Sequence, residues 1–199
     1  MMNAKAGQKQ RSHSAILESA SRLLRHRGIA GSSVADVMKA AGLTVGGFYA
    51  HFSSKKELID DALRRTTREL RERLFARLEE KPAQDRAEVV LKRYLSAAHR
   101  DQITPGCPLP AVVGEVGTTA GEHRDVLGEQ IDAIASELAT HLPPARLGLR
   151  RRHLALGLVA LMYGGLSLSR ALRATALSDE VLEACRALGR LAARTEMEP

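Results

Sequence analysis

Between residues 28 and 54 the hydrophobic rhythm of this chain is cut repeatedly, each time beside a residue that ends or starts a helix. Upstream, Ile16, Leu17, Ala20, Leu23 and Leu24 recur at the spacing of one helix face, which predicts a helix from Ser12 to Arg27. Gly28 ends it, after Arg25, His26 and Arg27 place cations where the helix dipole favours them. Ser33 and Asp36 form an S-x-x-D capping box for a second, short helix with Val34, Val37, Met38 and Ala41 on its inner face. Gly42 breaks that helix, and Thr44 caps a third short segment, Val45 to His51. Ser54 to Glu57 is another capping box, opening a helix to about Leu78 with Leu58, Ala62, Leu63, Thr66, Leu70, Leu74 and Leu78 inward. Two short helices around Ala41-Gly42-Leu43 make a helix-turn-helix pattern. In that pattern the first helix braces, and the second offers its N-terminal residues to a major groove.

The rest of the chain reads as longer helices at about 83–101, 108–119, 122–141, 144–175 and 178–195, punctuated by Pro105-Gly106, Gly121, Pro143-Pro144 and Ser178-Asp179. Ala, Leu and Arg dominate, and aromatic residues are only 3%, so strand formers are thin and the class is all-α. The charge is unevenly placed. Positions 1–56 hold nine Lys or Arg against Glu18 and Asp36, so the whole net +7 sits there and fits either an anionic partner, with nucleic acid foremost, or a solvated basic face. The two cysteines, Cys107 and Cys185, make no disulfide framework and fit a reducing cytosol. The first ten residues lack a signal-peptide core, and Leu154–Leu168 is short and glycine-rich for a membrane span, so a cytoplasmic protein without a membrane partner is expected.

The run from Gly28 to Leu58, with Ala41-Gly42-Leu43-Thr44-Val45-Gly46-Gly47-Phe48-Tyr49-Ala50-His51-Phe52 at its centre, resembles the N-terminal domain of TetR-family transcriptional regulators. The resemblance extends nearly position by position over residues 9–69. It implies a disordered tail at 1–8, a DNA-binding domain at 9–69 (motif about 33–52), and a regulatory and dimerisation domain at 70–199. It further implies about nine helices: a three-helix DNA-binding domain followed by a helical ligand-binding domain. The expected partners are double-stranded DNA with a palindromic operator, a second copy through the last two helices, and a small-molecule effector. Repression released by that effector is the expected activity.

Carried over by motif position, Ser33 and Thr44 cap helices and touch phosphate, Tyr49 and His51 face the DNA backbone, and Lys55 anchors it. Val45-Gly46-Gly47 stands where many members of the family carry Lys, Ser or Thr. Base readout would then rest on Val45 against a thymine methyl, close backbone approach over Gly46 and Gly47, or His51. Nothing in the chain matches a catalytic serine elbow, a phosphate-binding glycine loop or metal-ligand spacing, so no catalytic, cofactor or metal residue is expected.

In the second part, Cys107 lies in Pro105-Gly106-Cys107-Pro108, before a helix whose N-terminal dipole would lower its thiol pKa. This stretch, followed by Glu115, is similar to a motif in TetR-family branches, some of which sense electrophiles or oxidants. An electrophile- or redox-sensing repressor is therefore the alternative reading, against plain packing of Cys107. Tyr94, His99, Leu109, Met162 and Tyr163 combine apolar bulk with a few polar tips and are candidates for an effector pocket. Leu154–Leu168 is apolar nearly all round and must be covered on every side. With Val181, Leu182, Cys185, Leu188 and Leu191 it suits either a dimer interface or a monomer core. Gly157, Gly164 and Gly165 would permit close helix approach.

Overall fold

A computed structural model describes residues 2–143, 145–146 and 148–194. Among them are nine α-helices: α1 (Met2–Arg27), α2 (Val34–Ala40), α3 (Lys55–Leu74), α4 (Arg86–Tyr94), α5 (Ala97–Asp101), α6 (Leu109–Thr118), α7 (Arg124–Ala139), α8 (Arg151–Ala171) and α9 (Ala176–Ala193). The chain packs as two compact units, one formed by Met1–Glu69 with Cys107–Gly128 and the other by Leu70–Gly106 with Glu129–Pro199. A segment from the middle of the chain therefore completes the N-terminal unit, which a linear division at residue 69 does not anticipate.

The N-terminal unit is built on α1, which packs against both α2 and α6. Ile16, Ala20 and Leu24 of α1 are fully buried, together with Val37, Met38, Phe48, Phe52, Leu58, Ile59, Ala62 and Leu63. The helix reaches back to Met2, which replaces both the expected start at Ser12 and the expected disordered tail at 1–8. Ala6, Gln8, Lys9 and Gln10 are good helix formers, and Arg11 donates to Gln8 Oε1 at 3.1 Å, one turn away. Position 1 lies outside the described residues.

In the second unit, α8 and α9 are the most extensively packed pair, and α4 lies against both. Leu91 and Leu95 are buried with Leu158, Met162, Leu166 and Leu182. Gly165 and Gly189 allow this: a Cβ at Gly165 would meet Cys185 Sγ at 2.8 Å, and one at Gly189 would meet Leu91 Cδ1 at 2.9 Å. The residues predicted inward on the helix from Ser54, down to Leu70, Leu74 and Leu78, are all buried. The helix nevertheless ends at Leu74, and Arg77 adopts a left-handed φ of 53° before a 3-10 turn carries Leu78.

Three other predicted helices differ. The segment 83–101 divides into α4 and α5 at Ser96, whose Oγ accepts from His99 N at 3.1 Å and caps a new start. The helix expected from 144 begins only at Arg151. Ala145–Arg146 and Leu149–Arg150 instead form a two-stranded antiparallel hairpin that turns at Gly148 with φ +70°. The last helix runs 176–193, and position 195 lies outside the described residues. At 21 residues α8 has the length and hydropathy of a membrane span, longer than Leu154–Leu168 suggests, but its apolar residues Leu154, Leu158, Val159, Met162 and Leu166 are buried inside the bundle.

Gly28 and Gly42 both take positive φ, at 68° and 71°, but their surroundings differ. A Cβ at Gly28 would fall 2.6 Å from Glu115 Oε1 and 2.7 Å from Ala111 O, whereas one at Gly42 would meet nothing within 4 Å. Left-handed backbone alone costs an L-residue about 1–2 kcal/mol. Urea unfolding of Gly42→Ala should show a loss of that size, and Gly28→Ala a larger one, above about 2 kcal/mol. Equal losses would mean that α6 does not crowd Gly28.

Candidate nucleic-acid interface

The turn leaving α1 determines where α2 begins. Gly28 N donates to Leu24 O at 3.1 Å, and Ser32 Oγ donates to Gly28 O at 2.6 Å. Glu115, reaching across from α6, accepts from Ile29 N at 2.5 Å and Ala30 N at 3.2 Å through one carboxylate oxygen. Lys55 Nζ, from the start of α3, donates to Ile29 O at 3.0 Å. Three elements thus converge on two peptide groups of one turn. Elsewhere in this unit, Arg25 and Arg65 both hold Glu69, at 2.6 and 2.8 Å. His123 Nδ1 lies 2.7 Å from Asp60 Oδ1 in a buried pair, while Lys56 takes the other oxygen of Asp60.

Ser33 caps α2: its Oγ accepts from Asp36 N at 3.1 Å and donates to Asp36 Oδ2 at 2.6 Å. The box is thus closed hydroxyl to carboxylate. At α3, Glu57 N donates to Ser54 Oγ at 3.1 Å, while the Glu57 carboxylate reaches back to Ser53, accepting from its N and its hydroxyl.

The segment after the turn, Val45–Ala50, is a single 3-10 stretch. Gly46 and Gly47 each destabilise an α-helix by about 1 kcal/mol relative to Ala, and Thr44 makes no side-chain cap, contrary to its expected role. The segment is held by Phe48 instead. That ring is buried and stacks toward Phe52 at 5.9 Å, while its carbonyl accepts from His51 N and Phe52 N. With Phe48 buried, most of its neighbours in the segment are exposed. Tyr49 is 76% exposed and Val45 51%, and Thr44 and Gly46 are exposed beside them. A Cβ at Gly46 would meet nothing within 4 Å, so the open space over this peptide can receive a close-lying backbone.

The predicted contact residues therefore divide. Thr44, Val45, Gly46 and Tyr49 share an open edge, with Gly47 half-buried at its back. His51 is half-buried, its Nδ1 enclosed with no hydrogen-bond partner, and its ring 6.0 Å from that of His13. His13 itself stacks on Phe52 at 4.6 Å. His13 was not among the sequence candidates. Its position three and four residues before Ile16 and Leu17, on the same helix stripe, was the signal that could have found it. Ser33 and Lys55 are half-buried, with the hydroxyl and the ammonium engaged as described.

In the other candidates the structure corrects several expectations. Cys107 is completely buried, so it lacks the accessibility that thiol sensing requires. Leu109 packs in the N-terminal unit, separate from the other four pocket candidates. Tyr94 and Met162 are core residues of the second unit, and Tyr163 is half-buried on α8. Of the five, His99 alone lines a cavity of about 410 Å³ in that unit. Among the described residues, no group of three His, Cys, Asp or Glu could hold a metal ion.

Residues 16–62 match the family model for bacterial regulatory proteins of the tetR family. The HTH-type transcriptional repressor KstR2 of Mycobacterium tuberculosis is 36% identical over 63 residues, 32% of this chain and 32% of that protein. The match thus spans about a third of the relative's length. Among solved structures, a TetR-family transcriptional regulator from Cytophaga hutchinsonii is similar with a TM-score of 0.77 and 24% identity, over 95% of this chain and 98% of that one. A TetR transcriptional regulator from Chloroflexus aurantiacus has a TM-score of 0.75 and 27% identity, over 92% and 94% of the two chains.

Burial holds the pKa of His51 below its ordinary 6.5, and the neighbouring His13 and Lys9 lower it further. The neutral ring is therefore the folded form. Its contribution to stability is present above about pH 6.5 and is lost as pH falls toward the depressed value. NMR titration should place the His51 midpoint below 6.5, and His13→Ala should move it upward. A midpoint at or above 6.5 in the parent protein would contradict the packing described here.

Proposed function

We propose, from an N-terminal domain that belongs to the tetR family of bacterial regulatory proteins, that this chain is a cytoplasmic homodimeric repressor of transcription. In this reading it binds a palindromic operator and is released by a small-molecule effector. The observation that carries the DNA-binding part is the exposed edge of Thr44, Val45, Gly46 and Tyr49 on a turn braced by Glu115 and Lys55. The excess positive charge of the chain lies in the same first 56 residues. Tyr49 and the peptide groups around Thr44 suit phosphate, while Val45 and the open space over Gly46 suit the groove floor. Such contacts position the protein firmly and read sequence mainly through shape and methyl contact. Ser33 and Lys55 serve chiefly as braces whose backbone amide and remaining ammonium donors can meet phosphate, and His51 supports the edge from within.

The second copy is assigned to the α8–α9 face. Leu168, Leu177, Leu188 and Leu191 are each at least half exposed there. Gly157 and Gly164 leave open space where a Cβ would stand, which suits close approach of a partner helix. A symmetric dimer through this face would present two recognition edges to the two halves of a palindrome. An effector would act by shifting α3, which carries residues of both compact units, and so change the spacing of the two edges. The alternative, a sensor working through Cys107, would need the thiol to become exposed first, and the sealed position of that residue weighs against it.

Selection from a random duplex library should enrich an inverted repeat. Tyr49→Ala should weaken binding to it at least tenfold, with the fold intact by circular dichroism. Enrichment of no motif, or undiminished binding by Tyr49→Ala, would count against this edge as the reading surface. Sedimentation equilibrium should find a dimer that Leu188→Arg dissociates. An unaltered dimer in that variant would move the interface elsewhere.

A further inference from the structure

The cavity of about 410 Å³ in the second unit falls within the range of small-molecule sites. Its apolar wall comes from Leu70 and Leu74 at the end of α3, with Ala98 and Pro105. Its charged lining is of one sign: Arg73 and Arg93 contribute guanidinium groups, and none of the described residues lining it is acidic. Both guanidiniums are held in place through main-chain oxygens. Arg93 Nη1 donates to Leu74 O at 2.7 Å and Ala76 O at 2.8 Å, closing the C-terminal end of α3. Arg73 Nη2 donates to Pro105 O.

The remaining wall is also pinned. Arg170 Nη2 donates to His99 O at 2.9 Å. At Gly106 a Cβ would fall 2.7 Å from Arg170 Nη2 and 2.8 Å from Ile103 O, so the loop into Gly106 closes tightly on this arginine. His99 Nδ1 donates to Tyr94 O at 2.7 Å, which leaves Nε2 as the acceptor nitrogen of the neutral ring. Burial lowers the pKa of His99 to about 4, and the nearby Arg170 and Arg73 add to the effect. A positive potential therefore persists in the cavity at neutral pH, carried by the arginines rather than by the imidazole.

We propose that this cavity binds an amphipathic organic anion, with its carboxylate or phosphate head on Arg73 and Arg93 and its hydrocarbon body over Leu70, Leu74 and Ala98. The guanidinium fork matches either head geometrically, and the apolar wall beside it rejects a fully solvated inorganic anion. This inference names the effector class for the repressor reading and rests on that reading for its regulatory consequence. Binding itself is measurable without DNA.

The test is calorimetric titration of the full-length protein with octanoate, octyl phosphate, octanol and inorganic phosphate. At least one of the two amphipathic anions should bind ten times or more tighter than both octanol and inorganic phosphate. Arg73→Gln should weaken that binding by at least tenfold with helix content unchanged. Arg93→Gln should do the same, but it also caps α3, so Arg73→Gln decides. No binding by either anion, octanol binding as well as octanoate, or an unaffected Arg73→Gln would overturn the proposal. Operator binding is measured on the same preparation. DNA binding without anion binding sinks this inference alone, and anion binding without DNA binding sinks the regulator reading alone.

Discussion

The N-terminal unit depends on one carboxylate. Glu115, on a helix from the middle of the chain, accepts hydrogen bonds from two successive peptide N–H groups at the turn that leaves α1. A hydrogen bond to a charged group contributes about 1.5–3 kcal/mol, less where water reaches it as at Ala30, and removing the acceptor leaves the part-buried Ile29 donor without a partner. The same turn gives its Ile29 carbonyl to Lys55, so α6, α3 and the entry to α2 are fixed at one point. Gly28 is required there twice over, by its left-handed φ and by the closeness of Glu115 and Ala111. The exposed edge proposed to meet DNA lies downstream of this turn, so its angle is inherited from it.

The edge itself is built with little intrinsic helix strength. Gly46 and Gly47 leave Val45–Ala50 as a 3-10 stretch, and its order comes from Phe48 and Phe52 beneath it, with His13 stacked on Phe52. This is tertiary packing prevailing over local propensity. What the glycines remove in helix stability they return as open space beside Val45 and Tyr49. A surface of this kind favours contact by backbone and methyl groups over long polar side chains.

Much of this was legible in the sequence, and what was not has a common cause. Ser33 capping α2, the breaks at Gly28 and Gly42, and the buried stripe from Leu58 to Leu78 follow from local rules of period, cap and glycine conformation. The docking of α6 against α1 is a contact between residues far apart in the chain, and the apolar pattern of α6 does not say which helix it faces. Leu109, grouped with Tyr94 and His99 on apolar bulk, therefore falls in the other unit. Thr44 and His51 were assigned by motif position, yet Thr44 makes no side-chain cap and His51 keeps its Nδ1 buried with its ring 6.0 Å from that of His13. No sequence pattern singles out Arg73 and Arg93. Only the folded chain places them on one cavity.

The most direct test of the central claim is hydroxyl-radical footprinting of the protein on DNA upstream of its own coding sequence, at moderate salt. The account predicts two protected patches on one face of the duplex, their centres about one helical turn (~34 Å) apart. Affinity should also fall steeply as salt rises, because phosphate contacts release counterions. Uniform cleavage throughout that region and its neighbours, with no salt-dependent binding to any duplex, would contradict the assignment of the Thr44–Tyr49 edge to DNA.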